Sequence, residues 1–110
     1  MYTLTQTSTD RTGRYVSTFA FENHADAYKK AAEIIRELLQ DVMKRCEEYE
    51  DFEDMEAYQE AKEMLEDYSG DALQDHAALV DAWHANSTSF EELMDEEYTI
   101  DVTPTTLVSP

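Results

Sequence analysis

Glycine and proline are scarce in this 110-residue sequence, at two each. With Gly13 and Gly70 the only glycines, no glycine-rich loop is available to cradle a phosphate. Cysteine is scarcer still. The single Cys46 excludes an intramolecular disulfide and suits a reducing compartment. Glu47 and Glu48 follow it directly, and their charge disfavours the thiolate that a cysteine nucleophile requires. No apolar run approaches the length of a membrane span. The first residues, Met1-Tyr2-Thr3-Leu4-Thr5, carry neither the basic region nor the apolar segment of a secretory leader, so a cytoplasmic protein is expected. Asn86-Ser87-Thr88 matches the glycosylation acceptor pattern and is discounted for the same reason.

Positive charge is missing from most of the chain. The formal net charge is −18. Residues 1–45 are balanced, with six acids (Asp10, Glu22, Asp26, Glu33, Glu37, Asp41) against seven bases (Arg11, Arg14, Lys29, Lys30, Arg36, Lys44, Arg45). The remaining residues hold twenty acids and one base, Lys62. Adaptation to high salt would spread carboxylates over the whole surface, which is not the pattern here. A concentrated negative field repels nucleic acid and anionic membranes and attracts basic surfaces, at a cost in self-repulsion. The plainer role for such acids is solubility.

What the chain does have is regular patterning over the length of one domain, residues 1–104, with a loose tail at 105–110. Residues 2–8 are threonine-rich and alternate, which is strand chemistry. A turn at 9–13 leads to a second strand at 14–21, with Tyr15, Phe19 and Phe21 on its core face. Asn23, with Asp26 three residues on, caps a helix expected over about 24–48. Its apolar stripe is Ala27, Tyr28, Ala31, Ile34, Ile35, Leu38, Leu39, Val42, Met43 and Cys46.

A break is expected at 49–51, with Asp51 capping a second helix that ends at Ser69-Gly70 and Gly70 in the left-handed position. A single unbroken helix over 24–68 is the alternative, because no glycine or proline interrupts it. Asp71 and Gln74 cap a third helix, ending near Asn86, with Leu73, His76, Ala77, Val80 and Trp83 inward. Ser89 starts a short fourth helix, and 98–103 alternates as a strand ended by Pro104. The fold class is therefore α+β: an N-terminal β-hairpin plus a C-terminal strand form a small antiparallel sheet, packed against three to four helices.

The densest charge lies at 47–67, where eleven carboxylates face one base and are interleaved with Tyr49, Phe52, Met55, Tyr58 and Leu65. A disordered acidic tail has few aromatics. This stretch reads instead as helix with one wet, negative face. Two acidic rows with charges about 5.4 Å apart approach the linear charge density of a nucleic-acid backbone within roughly a factor of two. The candidate partner-binding residues are Glu53, Glu56, Glu60, Glu63 and Asp67 for charge, with Tyr49 and Tyr58 as amphipathic anchors.

Other chemistries find little support. Asp81 and His84 stand one turn apart, but a bundle-type dimetal site needs two such pairs. The acids at 50–56 lack the glycine of a calcium loop. His24, His76 and His84 have no serine motif beside them. No catalytic residue, cofactor or metal is expected, and direct nucleic-acid binding is opposed by the field.

In size, charge and mixing of acids with aromatics, the stretch at 47–67 and the acidic half around it resemble the DNA-mimic proteins of phages and mobile elements. Those proteins inhibit restriction enzymes or CRISPR effectors by occupying their nucleic-acid channels. The resemblance covers about half of the chain and includes no diagnostic motif. It implies a non-enzymatic inhibitor that binds a basic nucleic-acid-handling partner, a nuclease or a CRISPR effector. The alternative is a structural or assembly protein, a homodimer or larger homo-oligomer. It would pair through the long helix or the strand at 98–103, with the acids serving solubility.

Overall fold

A computed structural model describes residues 1–94 and 96–104, with residue 92 described in its backbone alone. The expected tail at 105–110 lies outside these residues. Strands β1 (Tyr2–Asp10) and β2 (Gly13–Phe21) form the N-terminal hairpin. The ladder runs to Asp10 opposite Gly13, so the turn is only Arg11-Thr12, tighter than expected. Asp10 Oδ1 accepts from Thr12 N at 2.8 Å, Thr12 Oγ1 at 2.6 Å and Gly13 N at 3.1 Å. These bonds, the Thr12 hydroxyl foremost, hold the Asp10 carboxyl below its ordinary pKa. Gly13 takes φ +155°, which favours glycine.

Strand β3 (Glu97–Pro104) pairs antiparallel with the other side of β1. The order β2-β1-β3 makes the first strand central. Leu4 stands between Phe19 and Val102, and Gln6 between Ser17 and Ile100. By alternation these residues share the face turned to the helices, where Leu4 and Ile100 are fully buried. The opposite face carries the threonines.

Among the described residues there are four helices, α1 (His24–Cys46), α2 (Glu56–Asp67), α3 (Leu73–Asn86) and α4 (Thr88–Met94); α1, α3 and α4 pack against the sheet, and α2 packs on α1 and α4. The α+β architecture expected from the sequence is thus the one observed. Asn23 caps α1 as its chemistry requires: its Oδ1 accepts from Asp26 N at 3.0 Å, and its Nδ2 donates to Asp26 Oδ2 at 2.9 Å. The apolar stripe of α1, from Ala27 to Cys46, faces the sheet, α2 and α3. Trp83 of α3 and Phe90 of α4 stack at 5.7 Å between ring centroids, and both are buried. Trp83 Nε1 also donates to the Tyr98 carbonyl at 3.3 Å, tying the helix layer to β3.

The long helix does break, after Cys46. A 3-10 turn (Phe52–Asp54) and the extended Met55 separate it from α2. Continuing the helix would stack Glu47, Glu48, Glu50 and Asp51 at like-charge spacings. The break instead lets Phe52 fold back edge-on to Tyr58, with ring centroids 5.1 Å apart.

Several local expectations fail for identifiable reasons. Asp51 precedes only the 3-10 turn and makes no capping bond; α2 begins five residues later. Ala72, not Asp71, precedes α3, and Asp71 lies instead 3.4 Å from His76 Nε2. Gly70 does not take a positive φ. A Cβ there would run into the Asp75 carboxylate, which would have to turn aside. Leu73 is exposed, whereas Leu79 is in the core. Tyr15 and Phe19, expected inward, are 56% and 39% exposed, because the helices do not reach fully over β2.

Candidate functional site

The acidic face is built on α2. At 100° per residue, Glu56, Glu60, Glu63 and Asp67 fall within one narrow stripe along twelve residues. The apolar stripe next to it, with Ala61 and Met64 buried and Ala57 and Leu65 partly buried, seats the helix against the core. The four carboxylates span about 16 Å of axis, roughly one per 5.5 Å. One DNA strand presents a phosphate about every 3.4 Å.

Three of these acids converge. Glu60, Glu63 and Asp67 line a cleft of about 180 Å³ between α2 and α3, together with Met64, Tyr68, Ala82 and Asn86. Ala82 makes room for the cleft because its side chain is small. Asn86 is held at its end by an Nδ2 bond to the Ala82 carbonyl at 2.9 Å. Glu60 is only partly exposed, and its Oε2 is buried without a hydrogen-bond partner among the described residues. No ion pair among the described residues involves Glu60, Glu63 or Asp67.

Of the nearby bases, Arg36 is committed elsewhere and Lys62 lies on the flank beside Glu63 and Glu66. Arg36 reaches from α1 to the chain between α2 and α3, donating to the carbonyls of Tyr68 at 3.0 Å and Gly70 at 2.9 Å. Lys62 lies on the far flank of α2, in a shallow depression with Gln59, Glu63 and Glu66.

The other candidates lie apart from the cleft. Glu56 begins α2 on the same stripe but does not line it. Glu53 belongs to the 3-10 turn, where its carbonyl accepts from Gln59 Nε2 at 3.1 Å. Tyr49 stands in the connection after α1, 57% exposed and surrounded in sequence by Glu47, Glu48, Glu50 and Asp51. Tyr58 is half-buried against Phe52 and packs on the core. The contributors that sequence reasoning missed are Ala82 and Asn86. They share a face of α3, but nothing in the sequence says that this face meets α2.

Cys46 is buried at the end of α1. Burial, and then Glu47, pushes its thiol pKa up, the opposite of what a nucleophile needs. His84 bonds the Ile100 carbonyl and lies 3.4 Å from Asp101, joining α3 to β3. No group of three or more metal-ligating side chains occurs among the described residues, and no described helix is long and apolar enough to cross a membrane.

Comparison with protein-family models, with curated proteins and with solved structures finds no match. The chemistry of the face is therefore what a functional reading has to rest on. An unpaired row of carboxylates beside a small, mainly polar cleft suits a guanidinium or ammonium group. Its stem would lie on Met64 and Ala82, and its charged end would meet Glu60, Glu63 and Asp67.

Proposed function

We propose that this protein is a non-enzymatic inhibitor that binds a basic, nucleic-acid-handling protein through the α2 face, in competition with nucleic acid. The observation that carries this reading is the row Glu56, Glu60, Glu63 and Asp67, three of whose members meet in one cleft and form no ion pair among the described residues. A nuclease or CRISPR effector fits as partner because its channel is lined by Arg and Lys arranged for phosphates. The α2 row offers similar charges at a comparable spacing. Tyr49 and the acids around it form a second contact at the α1–α2 connection. Encounter is steered by charge and slows as salt rises.

The test is a panel of purified restriction nucleases and CRISPR effectors, assayed for DNA cleavage with and without the protein. Inhibition of one of them, relieved by excess DNA or guide RNA, is expected. The variant with Glu53, Glu56, Glu60 and Glu63 changed to Gln and Asp67 to Asn should lose it. Unchanged inhibition by that variant removes these residues from the mechanism. Binding of many basic proteins at low salt, all released at moderate salt, reduces the acidity to a generic field.

A further inference from the structure

We propose that the free edge of β2 is a self-association surface. Two copies pair β2 against β2, antiparallel about a two-fold axis at Ser17, to form one continuous six-stranded sheet.

The two edges of the sheet differ in kind. In β3, Trp83 and His84 occupy the outward carbonyls of Tyr98 and Ile100, and the strand ends in Pro104. That edge, where the sequence points to self-pairing, is covered by α3. Among the described residues the β2 edge has no such cover. Asp10 and Gly13 close a two-residue turn, so alternation aims the backbone groups of Gly13, Tyr15, Ser17, Phe19 and Phe21 at β1. Those of Arg14, Val16, Thr18 and Ala20 point outward, and all four residues are exposed. Most of the usual protections of an edge are missing from β2: it contains no proline, no break in register and, apart from Arg14 near its start, no charged residue.

The side chains add an apolar patch. Tyr15 and Phe19 lie on the helix side of the sheet, half-exposed, and Val16 is 55% exposed on the other side. Between the sheet and α1 runs an open groove of about 310 Å³, lined by Gln6, Ile34, Glu37, Leu38 and Asp41.

A second copy is the occupant that fits both backbone and charge. With Ser17 opposite the partner's Ser17, Val16 meets the partner's Thr18 and Arg14 meets the partner's Ala20. Every outward N–H and C=O of those residues is then paired, for about eight hydrogen bonds. In the same register Tyr15 stands against the partner's Phe19, and the symmetry repeats that aromatic pair. Charge selects this side too. β2 carries one charged residue, Arg14, with Lys30 of α1 over the Phe19 ring, and belongs to the balanced part of the chain, so the pairing edge itself adds no carboxylate. The contact is small, below about 1,200 Å² in total, so association is reversible.

Sedimentation or light scattering across the micromolar range tests this. The mass should rise from 12.7 kDa towards twice that value with concentration. High salt should strengthen association by screening repulsion between two strongly acidic molecules, the opposite of its effect on a basic partner. Val16→Pro removes an outward N–H without breaking a β1–β2 bond and should remain monomeric. Should that variant not fold, Ser17→Glu places two carboxylates on the axis and should be monomeric as well. Ser17→Cys should cross-link under mild oxidation, because facing residues of a non-hydrogen-bonded pair lie about 4.5 Å apart at Cα, within disulfide range. Val16→Cys, offset from its own copy, should not. A monomer at all concentrations, or dimerisation undiminished in both Val16→Pro and Ser17→Glu, overturns the proposal. Cross-linking through Val16→Cys but not Ser17→Cys overturns the register. None of these outcomes depends on the acidic face.

Discussion

Two isosteric changes within the α2 row should affect stability unequally. Asp67 closes the last turn of α2, where the helix carries its partial negative charge, and Glu63 sits one turn before it. Asp67→Asn removes an unfavourable dipole contact of about 0.3–1 kcal/mol. It also removes a like-charge pair worth about 0.2–0.5 kcal/mol. The variant should be more stable by about 1 kcal/mol, or roughly 4 °C in Tm for a chain of this size. Glu56 opens the same helix, where a negative charge is favourable. Glu56→Gln loses a dipole contact of about 0.3–1 kcal/mol and relieves the Glu56–Glu60 repulsion of about 0.2–0.5 kcal/mol, so it should be neutral or slightly destabilising. Urea and thermal unfolding at low salt measure both. At about 1 M salt the Debye length falls to about 3 Å, and the two variants should converge on the parent protein. Both should nonetheless weaken binding to a basic partner, since each removes one charge from the row. Destabilisation by Asp67→Asn at low salt would refute the reading of the row as an uncompensated, self-repelling surface. It would mean that Asp67 holds a stabilising contact.

Trp83→Ala should cost about 3–5 kcal/mol, because it empties the stack on Phe90 and orphans the Tyr98 carbonyl. Trp83→Phe should cost less, and chemical unfolding separates the two. Burial, then the Glu96 hydrogen bond, pushes the Tyr98 phenol up to about 12. An ultraviolet pH titration should therefore show Tyr98 ionising late, and a Tyr98→Phe variant should lose that late phase. Because the folded pKa is raised, its contribution to stability is present below the ordinary tyrosine pKa of about 10 and is lost as pH rises towards 12. Cys46 should react with a thiol reagent at neutral pH far more slowly in the folded protein than in denaturant, since burial both shields it and raises its pKa. Equal rates would contradict its place in the core.

Local chemistry made several elements legible in advance. The cap at Asn23 and the apolar stripe of α1 are properties of adjacent residues and a fixed period, so they survive into the structure, with Ala32 added to the buried set and Tyr28, Leu38 and Met43 at its margin. The acidic row at Glu56, Glu60, Glu63 and Asp67 needs only the helical repeat. Boundaries near 47–55 and 71–73 were harder, because several residues there have capping chemistry and packing decides among them. Phe52 turning onto Tyr58 moves the start of α2 past Asp51. Asp71 lies against His76 and leaves Ala72 as the cap. Gly70 has a reason that no sequence rule contains, the nearness of Asp75.

By itself, then, the sequence determined the element types, the hairpin, the acidic half and the balanced half, because each follows from composition or from periods of two and 3.6 residues. The tertiary structure alone decided which acids share a cleft, since that requires α3 to bring Ala82 and Asn86 against α2. It also decided which sheet edge is open. Both outer strands alternate alike in sequence, but α3 covers the carbonyls of β3, and the helix layer stops short of Tyr15 and Phe19. Such facts depend on where whole elements lie against one another, and residues distant in the chain set those positions by filling a common core.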